Sequence, residues 1–404
     1  MTEPWITVVG LGEEGLKGLA PRARAAIDAA EVLIGGERHL ALVPTAGVER
    51  LTWRTPLKDT MADIAGRRGK RVVVLASGDP MWFGVGVTLA RHFCAEEMAI
   101  LPVPGAFSLA AARLGWSLAD ASTITLHGRR IEHLHANLAP GWRVLILSED
   151  GDTPRQVASL LAARGYGDSP ITVLEHLGGP AERRIDATAK SWNAARAADL
   201  NTIAVTCIAD ADAVATPRTA GLADDLFQHD GQITKREVRA ATIAQLMPQP
   251  GQVLWDVGAG CGSVAIEWMR AAPNAMSFAV ERDAGRCAFI ERNAAFLGVP
   301  RLRVVQGAAP AALQDLPRPD AVFIGGGIGE KGLAEQCWAR LAPGGRLVAN
   351  VVTVEGEATL ARLHGRHGGT LTRIAVSRAE PVGGLLGWRP LMPVTQLAMR
   401  KGSS

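Results

Sequence analysis

The feature that most constrains this chain is the junction VLWDVGAGCGSVAIEWM at residues 253–269. A β-branched run carries Asp256 near its end, glycines stand at 258, 260 and 262, and a helix-period pattern begins at Ser263 with no spacer. Glycine can turn through left-handed backbone and let a ligand approach the main chain, and a helix opening directly after it presents free N–H groups. The junction predicts the strand, turn and helix of a doubly wound sheet, with a ligand crevice at the strand's C-terminal end. A second cluster, VVGLGEEG at 8–15, raises the same question near the start of the chain.

Strand-like runs alternate with Ala-rich helical stretches on both sides of one break. Before it come ITVVG, PRARAAIDAAEVLIG, KRVVVLAS, WRVLILS and TPRQVASLLAARGY. After it come QVLWDVG, SFAVER, LRVVQG, PDAVFIGGG and RLVANVVT, with helical stretches between. Such alternation predicts largely parallel sheets, and 404 residues at 48% hydrophobic suffice for two α/β domains. The break, rich in Asp, Pro and Gly, places a first domain at 1–212, a linker at 213–232 and a second domain at 233–404. The second domain opens on TKREVRAATIAQLMP, where Thr234 and Glu237 have capping-box spacing and Pro248 stops the helix.

Composition excludes some classes. The formal charge is +3, and no dense basic run marks a nucleic-acid surface. Five cysteines, odd in number and without CxxC spacing, indicate a reducing compartment and supply no metal site. No apolar run reaches membrane-spanning length and the N-terminus reads as a strand, so a cytoplasmic protein with no nucleic-acid or membrane partner is expected.

In the second domain the sixth place of a dinucleotide fingerprint is Ser263, which weakens a pyrophosphate reading. Glu281 ends the strand SFAVE about twenty residues after the glycines, where a carboxylate accepts ribose hydroxyls, a placement open to nicotinamide and S-adenosylmethionine cofactors alike. Asp256 and VVQGAAP decide between them: the series resembles the class I S-adenosylmethionine methyltransferases. The resemblance implies Asp256, Gly258, Gly260 and Gly262 around the methionine end, Glu281 on the ribose, and Gly307 to Ala309 beside the adenine. Ala308 departs from the acidic residue that many members carry after the glycine of that loop.

The first cluster satisfies GxGxxG through Gly10, Gly12 and Gly15, with Glu37 after the next strand, but LKGLAPRARAA intervenes before a helix expected to open at Pro21. ASGDPMWFGVG and PVPGAFSLAAARLGW, taken with VVGLGEEG, resemble the tetrapyrrole methylase (class III methyltransferase) family, which binds S-adenosylmethionine between two α/β lobes. The resemblance makes Gly10, Gly78, Asp79 and Ser108 candidate cofactor contacts; Asp79 reads equally as a turn-stabilising side chain and Ser108 as a helix cap. With HDGQITKREVRA opening the second domain, nearly the whole chain resembles the precorrin C(5,15)-methyltransferase (decarboxylating) family of cobalamin biosynthesis. That implies a two-lobed class III fold followed by a class I Rossmann-like fold. It also implies S-adenosylmethionine as cofactor, Thr234 as a further cofactor contact, a precorrin tetrapyrrole as substrate and a homo-oligomer. The first domain would methylate position 5 of precorrin-6B, and the second would methylate position 15 and decarboxylate the ring C acetate.

For the chemistry, Asn350 and Glu355 in LVANVVTVEGEATL are expected at the C-terminal edge of the second sheet, and His127 in TLHGRR is a candidate proton carrier. Arg129 and Arg130 read as substrate-carboxylate partners or as a solvated face. Cys261, beside a helix N-terminus, is expected to have a lowered pKa and to fill space. Three alternatives stay open: a two-domain NAD(P) oxidoreductase, a ribosomal-RNA methyltransferase, and a corrinoid-binding protein with one inactive domain.

Overall fold

The computed structural model describes residues 4–211, 213–214 and 216–402. The chain divides into two compact units, Met1–Ile131 with Ala139–Val214, and Glu132–Leu138 with Ala215–Ser404. Asp212, the expected end of the first domain, lies outside the described residues.

The first unit holds two sheets. One is built from β1 (Ile6–Leu11), β2 (Val32–Ile34), β3 (Glu49–Leu51), β4 (Val72–Ser77) and β5 (Met98–Leu101), ordered β3-β2-β4-β1-β5 and parallel throughout. Its strands are apolar on both faces because a buried cluster lies on each side, Ile6, Val8 and Val74 on one and Val9, Leu33 and Leu75 on the other. The other sheet comprises β6 (Ala121–Thr125), β7 (Arg143–Leu147), β8 (Pro170–Glu175), β9 (Arg183–Thr188) and β10 (Asn201–Thr206), ordered β6-β7-β10-β8-β9.

Only β6 and β7 pair in parallel there; β7 with β10, β10 with β8 and β8 with β9 are antiparallel. This corrects the expectation of a largely parallel sheet. Between Glu175 and Arg183 no helix returns the chain to its starting edge, so β9 folds straight back on β8.

The second unit is a seven-stranded sheet. Its strands are β11 (Val253–Val257), β12 (Met276–Glu281), β13 (Arg303–Gln306), β14 (Ala321–Ile324), β15 (Arg346–Val351), β16 (Thr370–Ile374) and, after a separate hairpin of β17 (Ser377–Val382) and β18 (Leu385–Pro390), β19 (Val394–Arg400). The order is β13-β12-β11-β14-β15-β19-β16, with β19 antiparallel to both neighbours. Strand order reverses at β11, so the loops after β11 and β14 diverge and leave a crevice between them.

The period-2 alternation of β11 aims Leu254 into one buried cluster, with Trp268 and Ile290, and Trp255 and Val257 into the other, with Leu347 and Leu360. Asp256 therefore shares the Leu254 face. Part of the expected linker is packed into this unit, since Leu222 and Phe227 are buried in its core. Residues 132–138 also belong to it: His135 Nδ1 lies 3.1 Å from the Ala295 carbonyl and 2.9 Å from that of Phe296. Among the described residues no helix is long and apolar enough to cross a membrane.

Candidate functional site

The glycine junction of the second unit folds as the sequence predicts. Gly258, Gly260 and Gly262 all have left-handed backbone, at φ 70°, 59° and 81°, and Gly262 is the N-cap of the helix Ser263–Ala271. Each glycine serves a different need. A Cβ on Gly258 would lie 2.9 Å from the backbone of Gly326, in the loop after β14, and one on Gly262 would lie 2.9 Å from Ile290. At Gly260 the nearest atom would be the Gln232 carbonyl at 3.6 Å, an ordinary contact, so of the three this glycine is the least crowded.

Two carboxylates hold the loop. Asp256 accepts the Ala265 N–H at 3.0 Å through Oδ2, satisfying one of the unpaired donors at the start of its helix. Its Oδ1 is buried without a partner. Burial, opposed by that hydrogen bond and reinforced by the charge of Glu281, pushes the Asp256 carboxyl up to about 7. Glu281 closes β12 and accepts the N–H of Gly260 at 2.9 Å and of Asp283 at 3.0 Å. Gly307 follows β13 and donates its N–H to the Glu281 carbonyl at 2.9 Å, and Ala309 packs partly buried against the cluster around Trp255.

Beside this crevice a pocket is lined by Gly327, Ile328 and Gly329 after β14, and by Thr353, Glu355, Gly356, Ala358, Thr359 and Arg362 from the opening of the helix Val354–His367. Thr353 caps that helix, its hydroxyl accepting the Gly356 N–H at 3.1 Å. Glu355 is exposed and faces the pocket; Asn350 does not line it. Asn350 shares the Val348 face of β15, donates to Thr242 Oγ1 at 2.8 Å and accepts from Gln396 at 2.9 Å, so both ends of its amide are engaged.

Two expectations in this unit are corrected. Thr234 and Glu237 form no capping box: the helix Arg236–Leu246 has Lys235 at its N-cap with no side-chain bond, and Glu237 pairs with Arg378 at 2.7 Å. Thr234 instead lends its carbonyl to Arg239 at 2.5 Å. The thiol of Cys261 is buried, and desolvation pushes it up to about 11, the opposite of the lowering expected from its helix terminus.

In the first unit a cleft is lined by residues of both lobes, among them Gly12, Glu13, Ser77, Gly78, Pro104, Leu174 and Thr202. Gly10 packs beneath it against Gly78, which forms part of its wall. A Cβ on Gly10 would collide with the Gly78 carbonyl, and one on Gly78 would lie 2.6 Å from the Gly105 Cα, so the end of β1 and the loops after β4 and β5 meet through their glycines. Gly10 is thus a packing glycine inside β1, and the first long helix begins at Pro21, which removes the context of a dinucleotide loop.

Gly12 has no atom within 4 Å of where its Cβ would stand, and it faces the cleft. Asp79 accepts the Met81 N–H at 2.8 Å, a turn-stabilising bond. Ser108 is exposed in the first turn of the helix Ala106–Leu114, whose N-cap is Gly105, so it is not the cap. His127 is exposed, with Nδ1 3.6 Å from Glu149, and is not among the residues lining the cleft.

Residues 6–192 match the family model described as tetrapyrrole (corrin/porphyrin) methylases, and residues 225–401 match that of the precorrin methyltransferase domain. A precorrin-6Y C(5,15)-methyltransferase (decarboxylating) from Sinorhizobium sp is 49% identical over 403 residues, covering 100% of this chain and 98% of that protein. This chain belongs to that family. A member from Mycobacterium tuberculosis is 44% identical over 400 residues, covering 98% of this chain and 100% of its own. A cobalt-precorrin-7 C(5)-methyltransferase from Salmonella typhimurium is 38% identical over 178 residues, 44% of this chain and 88% of its own.

Within the precorrin methyltransferase domain, sequence reasoning missed Arg362 and the loop 327–329. The signal for the loop was present, as FIGGG ends a strand beside the switch point. In the tetrapyrrole methylase domain it missed Glu13, Arg38 and Ser77, although they stand in VVGLGEEG, GGERHL and ASGDP.

Proposed function

We propose that each unit carries its own methyl-transfer site, and that together they methylate a precorrin at positions 5 and 15 and release the ring C acetate carboxyl as carbon dioxide, giving precorrin-8. The chain is a decarboxylating C-methyltransferase of cobalamin biosynthesis. The observation that carries the two-site reading is the second unit's crevice. There the unpartnered Asp256 Oδ1, the uncrowded Gly260 and the Glu281 carboxylate that accepts its N–H lie at a topological switch point.

These residues fit S-adenosylmethionine, which Asp256, Gly258, Gly260, Glu281, Gly307 and Ala309 would hold in the second unit, and Gly12, Gly78 and their neighbours in the first. When bound it supplies a methyl group already activated on a sulfonium, so no protein nucleophile is needed. The chain's own task is to orient a ring carbon toward that group and exclude water. In the second unit Gly327 adjoins Gly326, which packs on Gly258, so the pocket of Glu355 and Arg362 opens beside the cofactor crevice. Arg362 there pairs with substrate carboxylates, while Glu355 handles a proton at the ring carbon that receives the electron pair when carbon dioxide leaves.

The test is turnover by the intact chain, with precorrin and S-adenosylmethionine labelled in its methyl group. The reading requires a product that has gained two labelled methyl groups and lost one carbon dioxide. A Gly260→Val variant should retain one methylation; loss of both would place them at a single site and refute the division of labour.

A further inference from the structure

We propose that Ser77, backed by His39, takes the proton released at the first unit's methylation site. The inference rests on the reading of that cleft as a methyl-transfer site, and it assigns the base that the site lacks.

Ser77 ends β4 and faces the cleft. Its Oγ lies 2.9 Å from Nε2 of His39, on the helix Glu37–Leu42, and 3.0 Å from Nη2 of Arg38. The same Nη2 lies 3.0 Å from His39 Nε2. A guanidinium only donates, so Nε2 is the unprotonated nitrogen, and Ser77 Oγ accepts from Arg38 while its own proton points at Nε2.

Glu13 anchors this arrangement. Its carboxylate receives Arg38 Nη1 on one oxygen and lies 3.1 Å from His176 Nδ1 on the other. His176 itself holds φ 48°, a left-handed conformation that non-glycine residues adopt only at a cost. Three segments of one lobe and the end of β8 in the other thus converge on one hydroxyl that opens into the cleft. Burial and the neighbouring Arg38 hold the His39 imidazole down to about 4, so it rests neutral and able to accept.

The step balances. The ring carbon's electron pair forms the new bond to the methyl group while the old carbon–sulfur pair stays on sulfur, leaving one positive charge on the macrocycle. The macrocycle then loses one proton, and the pair that held it returns to the conjugated system. That proton passes to Ser77 Oγ as the hydroxyl's own proton passes to His39 Nε2. Beside Arg38 the imidazolium gives its proton up readily at neutral pH and discharges to water, which readies the relay for the next turnover. A weak base suffices, because a proton on a cationic conjugated ring is itself acidic.

The experiment uses the full chain with labelled S-adenosylmethionine and precorrin, and counts methyl groups in the product. Carbon dioxide release reports the second unit as an internal control. Ser77→Ala and His39→Gln should slow the first unit's methylation by about 10²–10⁴-fold, the range of general-base catalysis, while decarboxylation by the second unit holds at the wild-type level. Ser77→Thr, which keeps the hydroxyl, should retain most of the rate. His39→Gln is the discriminating variant: its amide keeps an acceptor near the Nε2 position and cannot carry the proton away. Wild-type methylation by Ser77→Ala or His39→Gln overturns the relay and leaves the site. If S-adenosylhomocysteine protects no first-unit peptide from hydrogen exchange in the wild-type chain, the reading beneath the relay fails with it.

Discussion

Replacing Asp256 by Asn keeps the side chain's shape and removes its titration, which makes it the sharpest probe of the second crevice. The carboxyl ionises at 3.8 in the absence of the fold and is held protonated up to about 7 within it, with burial as the first cause. Between those values the folded state binds more protons than the unfolded chain, so this contribution to stability is fully present below 3.8 and is lost as pH rises through 7. A shift of about 3 units at 1.4 kcal/mol each amounts to about 4 kcal/mol. Asn carries no such dependence, but it leaves a buried N–H₂ where Oδ1 already lacks a partner, which costs about 1–3 kcal/mol. Asp256→Asn should therefore be more stable than wild type by about 1–3 kcal/mol at pH near 8, with the advantage gone at pH near 4. The assay is hydrogen exchange of peptides spanning β11 and the helix Ser263–Ala271 in the full chain, along a urea series at several pH values. Identical pH slopes for wild type and variant would show that the carboxyl is not desolvated, and would refute the reasoning.

Gly258→Ala places a methyl 2.9 Å from the Gly326 backbone at φ 70°, and should cost the second unit at least the 1–2 kcal/mol of left-handed strain, read as a lowered urea midpoint. Gly12→Val meets no atom within 4 Å, so stability should change by less than about 0.5 kcal/mol while calorimetry loses the first unit's S-adenosylhomocysteine site. Arg239, 0% exposed and bonded to Glu267 at 2.6 Å, leaves that buried carboxylate without its cation when changed to Met, held only by the N–H groups of Gly221 and Leu222; about 3–5 kcal/mol should go from the second unit's unfolding free energy in urea.

The glycine junction was legible because its determinants are local: β11 alternates, three glycines take positive φ, and a helix starts at once. Glu281 was legible for the same reason, as the end of a strand at a fixed distance from the glycines. What stayed hidden depends on partners far along the chain. The Glu237 carboxylate is taken by Arg378, which empties the capping box, and the Asn350 amide is taken by Thr242 and Gln396. The antiparallel pairs of the first unit's second sheet are set by which strands meet, and apolar periodicity reads the same in either direction. Ser77 and His39 stand 38 residues apart and meet only because β2 lies beside β4, a neighbour relation no local pattern carries.

The central claim is that one chain holds two cofactor sites. Titration calorimetry of S-adenosylhomocysteine into the intact protein tests it most directly, repeated with Gly12→Val and with Gly260→Val. The account predicts two equivalents bound per wild-type chain and one in each variant, with the remaining affinity unchanged. A single equivalent in the wild-type chain, abolished by either variant alone, would contradict it.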